Sequence, residues 1–223
     1  MRFLYYPLVL ICLALAVVEC IPLVKWAIAH YQTYQWLLYG MGGYIVLKFI
    51  PFFFRNEKWL QTTSHEMTHA VVGMMFFHKI HSLQAGEGEG VVSHSGRRFG
   101  QIFISLAPYC LPIFTFAMLF LRLLGDNKSL YIFDIIIGVT LAFHIGCFAK
   151  QTGSHQTDIS EQGFLRSYLF ILTAWVFNAS IILLSIRKGI IGAFTYLFPE
   201  YWNDLVKWWG VIVDTVQQIV SSI

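Results

Sequence analysis

Residues 65–69 read His-Glu-Met-Thr-His, inside the stretch KWLQTTSHEMTHAVVGMMFF. On a helix, residues four apart lie about 40° apart around the axis and about 6 Å apart along it. His65 and His69 can therefore aim both imidazoles at one ion, with zinc–nitrogen distances of about 2.0–2.1 Å. Glu66 projects about 100° away from His65, too far round to complete the same ligand set. It can instead reach a water at the metal and act as its general base. Given eight His and seven Glu in the chain, this spacing arises by chance at roughly 1%. The alternative is three helix residues satisfied by ordinary hydrogen bonds. Their setting weighs against it, because one charge inside a membrane helix costs about 3 kcal/mol and here a carboxylate and two imidazoles cluster. The site lies seven residues beyond Lys58, about 10 Å into the helix. Thr62, Thr63, Ser64 and Thr68 supply polar surface by which water could approach.

Catalytic zinc usually takes three protein ligands and leaves one position open, so a third ligand must come from later in the chain. The candidates are His94, His144, His155, Asp158 and Glu161. KQTGSHQTDISEQGFLRS, from residue 150, is the strongly polar run among the last apolar segments. Asp158 with Glu161 three residues on also reads as a capping box that opens the following helix. His155 can share a helical face with Asp158 and be either a ligand or its support. His144 sits in LAFHIG, where a lone histidine is more often a packed, hydrogen-bonded residue than a ligand.

These groups need a scaffold, and composition says which kind. Of 223 residues, 57% are hydrophobic and 12% charged, about half the charged share of a soluble domain. Mean hydropathy is +0.63. The expected fold class is an all-α membrane protein: one bundle of about six transmembrane helices over 3–29, 36–54, 58–78, 99–123, 130–149 and 164–186. The first segment follows Arg2 like a signal peptide, but it runs on without a small-x-small cleavage site and reads as a retained helix. Pro108 and Pro112, in SLAPYCLP, should kink or break the fourth segment, which is tolerable if neighbours satisfy the freed carbonyls. The tail after residue 187 is amphipathic, with Leu205, Trp208, Trp209, Ile212, Val213 and Val216 at helical spacing. It can lie in the interface or pack on the bundle. GEGEG at 86–90, followed by Val91 and Val92, predicts a short β-hairpin or extended edge. Basic residues are scattered, which excludes a nucleic-acid footprint, and they favour an inside N-terminus only slightly. Cys12, Cys20, Cys110 and Cys147 form no CxxC pair and read as small hydrophobes. Three regions follow: N-terminal helices over 1–57, a catalytic core over 58–186, and a C-terminal interfacial segment over 187–223.

A membrane helix bearing HEMTH, then GEGEGVVSHS, then a proline-containing SLAPYCLP, then an Asp at a later helix, resembles the site-2 protease family of intramembrane zinc metalloproteases. The similarity covers roughly residues 58–186, and HEMTH is its most specific part. The resemblance implies a zinc cofactor held by His65, His69 and Asp158, with Glu66 activating water and His155 as a rival third ligand. It also implies that Gly88, Gly90, Val91 and Val92 bind an unwound substrate as an added strand. The expected partners are the bilayer and a membrane protein offering a transmembrane helix, and the expected location is multi-pass in a bacterial inner membrane. Two features depart from the family pattern: Asp158 lies in QTDISEQG rather than Leu-Asp-Gly, and no PDZ insertion is present, as in a compact, divergent branch. Two other classes share the same ligands: a zinc hydrolase acting on a lipid or small amide, and a non-enzymatic zinc-binding scaffold or transporter.

Overall fold

The computed structural model describes residues 2–86, 90–96, 100–153 and 156–221. Among the described residues, eight α-helices and one hairpin follow in order. They are α1 (Arg2–Ala29), α2 (Gln35–Leu47), α3 (Pro51–Met75), β1 (Lys79–Ala85), β2 (Gly90–Ser95), α4 (Gln101–Cys110), α5 (Ile113–Leu121), α6 (Leu130–Gln151), α7 (Thr157–Gln162) and α8 (Phe164–Ser221). Pro51 opens α3 at its first turn, where its missing N–H costs nothing.

Among the described residues, three helices are long and apolar enough to cross a membrane: Leu4–Ala29, Leu130–Gln151 and Phe164–Ser221. A fourth arises if α4 and the helical stretch Ile113–Leu124, bent by 81°, count as one span. The sequence suggested about six. The difference has physical causes. Helix α2 has 13 residues, about 20 Å, short of the roughly 30 Å hydrocarbon core. Helix α3 gives its middle to Gln61, Thr62, Thr63, Ser64, His65 and Glu66 and is not continuously apolar.

Close packing joins α2 to α6. A Cβ on Gly40 would strike the Ile135 carbonyl, and one on Gly138 would strike the Leu37 carbonyl. The two backbones touch through small residues, as membrane helices do when no hydrophobic effect separates helix from lipid. Around this contact lies a core of Tyr34, Leu37, Leu119, Ile137, Ile182, Ile186 and Ile190.

Helix α8 is two helices joined at Gly189, whose φ of 75° is accessible to glycine at no steric cost. The chain reverses there: the rings of Phe177 and Tyr201, each twelve residues from the break, lie 5.9 Å apart. The reversal frees the last carbonyls of the first half. Arg122 caps two of them, donating to Ser185 O at 3.4 Å and Ile186 O at 3.2 Å. Asp134 accepts from the same guanidinium at 2.8 Å. Beyond the break, Ile190, Ala193 and Leu197 are buried, so this part packs on the bundle. From Leu205 onward the helix is mostly exposed.

The expected break near the two prolines is sharp. Helix α4 stops at Cys110, leaving the carbonyls of Tyr109 and Cys110 without helical donors. Trp175 Nε1 donates to Tyr109 O at 2.9 Å and Asn178 Nδ2 to Cys110 O at 2.8 Å. Both donors stand one turn apart on α8. Replacing Asn178 by Leu leaves a buried carbonyl unsatisfied, at a cost of about 1–3 kcal/mol. The expected result is a melting temperature lower by several degrees, read by tryptophan fluorescence of the detergent-solubilised protein.

Candidate metal centre

Helix α3 presents His65 and His69 on one face, and their Nε2 atoms lie 3.2 Å apart. Asp158, in the first turn of α7, brings its Oδ2 to 3.5 Å from His65 Nε2 and 3.4 Å from His69 Nε2. Three donor atoms thus form a nearly equilateral triangle. A tetrahedral zinc with bonds of about 2.0–2.1 Å spaces its ligands about 3.3 Å apart, so the triangle matches one face of that tetrahedron. Among the described residues, no other trio of His, Cys, Asp or Glu brings its ligand atoms this close.

Backbone chemistry fixes the orientation of one ligand. His69 Nδ1 lies 2.8 Å from the carbonyl of Ile104. A carbonyl only accepts, so Nδ1 carries the proton and neutral His69 presents a bare Nε2. In α4, that carbonyl would normally take the N–H four residues on, but residue 108 is proline and has none. Pro108 therefore supplies the acceptor that sets the tautomer of His69. With that tautomer, lone pairs of His69 Nε2 and Asp158 Oδ2 face one another at 3.4 Å, an arrangement that a cation relieves.

Tyr109 does the corresponding work for Asp158. Its hydroxyl donates to Asp158 Oδ2 at 3.1 Å, and its ring packs edge-on against His65 at 5.3 Å. The side chain is 1% exposed. Position is also set by Ile159, the next residue, which is fully buried with Leu106, Tyr109, Cys110 and Ile171. Burial pushes the Asp158 carboxyl up, but the protons and positive charge that His65 and His69 direct at it when they are protonated outweigh burial and hold the group well below the usual carboxylate range. It is therefore ionised throughout the pH range in which imidazoles titrate.

Glu66 is buried beside the triangle, within electrostatic reach of all three ligands. Strand β2 lies directly over it: a Cβ on Gly90 would sit 2.6 Å from Glu66 Oε1. The hairpin is antiparallel, pairing Ala85 with Gly90 and Ile80 with His94. Gly90, Val92 and His94 are its more buried positions and alternate with exposed Val91, Ser93 and Ser95. Gly90, Val91, Val92 and His94 all line a cleft of about 820 Å³ that contains His65, Glu66, His69 and Asp158. Lys58, Gln61, Thr62, Gln101, Lys150 and Glu161 continue its wall, giving water a polar route to the ligands.

The remaining sequence candidates separate clearly. Asp158 makes no cap; Gln156 occupies the N-cap of α7 without a side-chain hydrogen bond. Glu161 stays on the cleft wall. His94 pairs instead with His78, Nδ1 to Nδ1 at 3.1 Å. His144 is buried against Trp175, ring centroids 5.2 Å apart. His155 and Gly88 lie outside the described residues. Sequence reasoning missed Tyr109 and the Ile104 carbonyl. A tyrosine between two prolines in an apolar helix was the available signal, since a buried phenol needs a partner.

Tyr109→Phe and Pro108→Ala should each weaken zinc binding by about tenfold, the low end for loss of a ligand's support, as measured by competition with a chromogenic chelator. Because imidazoles must be neutral to bind, affinity should fall as pH drops through the range in which imidazoles protonate. Loss that begins only in the carboxylate range, near pH 4, would contradict this assignment. A family model described as Peptidase M50B-like matches residues 43–186. No curated protein and no solved structure matches the chain significantly.

Proposed function

The chain belongs to the Peptidase M50B-like family, and from that premise we propose that it is an intramembrane zinc endopeptidase, multi-pass in a cell membrane, with the bacterial inner membrane as its setting. One observation carries the reading. His65, His69 and Asp158 converge in a polar cleft whose opposite wall is a strand edge, with Glu66 between them. Lys48, Glu57 and Lys150 meet at one end of their helices and serve as a headgroup-level marker. His65 lies eight residues further along α3 from Glu57, about 12 Å inward.

His65, His69 and Asp158 would hold the zinc, which would supply polarisation of the scissile carbonyl and a lowered pKa, toward about 7, for a water bound to it. The chain's own groups do the rest. Asp158 and His69 are held by Tyr109 and the Ile104 carbonyl and need no reorganisation during the reaction. Glu66 takes a proton from the attacking water and delivers it to the leaving nitrogen. Burial of Glu66 under β2 keeps this proton carrier beside the bond being cut. A substrate helix hides its carbonyls in its own hydrogen bonds, so it must unwind before cleavage. The β2 edge offers the unwound segment backbone partners, while Val91 and Val92 contact its side chains.

Glu66→Gln should retain zinc and abolish cleavage of a membrane-helix substrate in proteoliposomes; unchanged cleavage sinks the proposal. Gly90→Ala should also retain zinc but cut the rate at least tenfold, because the added methyl displaces Glu66 or the strand. Proline at both Val91 and Val92 should block peptide cleavage. If a lipid or small amide is instead hydrolysed and the double-proline variant spares that activity, the zinc hydrolase of another class is the correct reading.

A further inference from the structure

A second cavity lies behind the cleft, walled by α2, α3, α5 and α6. It is a slot of about 200 Å³ lined by Tyr44, Leu47, Leu60, Phe114, Val139 and Phe143 among others. Small-molecule sites usually occupy about 300–1,000 Å³, so this space suits a narrow apolar chain rather than a compact ligand. Its polar end is formed by Lys48 and Glu57. Lys48 Nζ lies 3.2 Å and Lys150 Nζ 2.9 Å from the same oxygen, Glu57 Oε1. Two ammonium groups thus share one carboxylate, leaving a net charge of +1 at the mouth. Each ammonium has three donors and directs one at Glu57. The two lysine side chains are 36% and 51% exposed, against 18% for Glu57, so it is the cations that face outward.

From this pairing of apolar slot and cationic rim, we propose that the slot binds an anionic phospholipid, one acyl chain between Phe114, Val139 and Phe143 and the phosphate at Lys48 and Lys150. Three observations converge. The lysines stand at helix ends, Lys48 just after α2 and Lys150 in the last turn of α6, the level at which headgroups lie. The slot opens beside them, so one molecule can fill both. The excess positive charge favours a headgroup without a cation of its own, as in other basic pockets between membrane helices. The site also touches the catalytic cleft. Lys150 lines that cleft, and Gln61, which donates to Glu57 at 3.0 Å, lines it as well. A phosphate on Lys150 therefore sits against the cleft wall.

The test uses the full chain in nanodiscs of phosphatidylcholine, with or without one-third phosphatidylglycerol, read by thermal melting and by native mass spectrometry after release. Phosphatidylglycerol should raise the melting temperature by at least about 5 °C at saturation, with one lipid retained per chain. Lys48→Gln, which leaves Lys150 to pair with Glu57, and Val139→Phe, which fills the slot, should each remove most of that shift. Equal melting in the two membranes overturns the proposal. So does a phosphatidylglycerol shift that survives in both variants, which would place the lipid elsewhere. Glu66→Gln should keep the full shift, so a failed cleavage assay and a failed lipid assay are read separately.

Discussion

A missing hydrogen atom on Pro108 organises this molecule. Without that N–H, the Ile104 carbonyl is free to accept from His69, which ties α3 to α4 and presents a bare nitrogen toward Asp158. The same helix then ends at Cys110, and its next two open carbonyls take donors from Trp175 and Asn178. Helix disruption is usually a cost. In α4 each freed acceptor holds a neighbouring element in place, and all of these contacts surround the ligand triangle. Tyr109 belongs to the same short stretch and ties α7 to it through Asp158.

Much of this was legible in the sequence, for reasons that differ by element. The His65 and His69 pair follows from helical period alone. The hairpin follows from glycines beside Val91 and Val92, and the broken segment from two prolines four residues apart. Asp158 could not be separated from His155, because the two stand three residues apart in one polar run and α7, six residues long, is too short for apolar periodicity to say which side faces the site. The Ile104 carbonyl could not be read at all, since every residue has one and only tertiary packing selects it. Counting apolar segments gave about six spans, because hydropathy registers neither the shortness of α2 nor the 81° bend after α4.

Two layers of charge bracket the bundle. Lys48, Glu57 and Lys150 meet at one end of α6, and Arg122 with Asp134 at the other. On α6 they are separated by the sixteen residues from Asp134 to Lys150, about 24 Å. The candidate metal centre lies nearer the first layer, where the polar cleft opens. Each layer also performs local work: Arg122 caps the helix end exposed by Gly189, and Glu57 draws three helices together. The Arg122–Asp134 pair also holds the backbone end that the break at Gly189 opens.

The separation between His69 and Asp158 also has a consequence in time. Eighty-nine residues divide them, and a ribosome adding about 5–20 residues per second needs roughly 4–18 s to cover that interval. Throughout it, the nascent chain carries His65, Glu66 and His69 but not Asp158, while α4 and Tyr109 arrive only part-way through. On the proposed reading, the chain would lack its third ligand during its own insertion, when its unpacked helices are the nearest available substrates. The triangle closes only when α7 arrives, after α1 to α6 and before α8, so the order of residues along the chain would work as a built-in delay on the proposed activity.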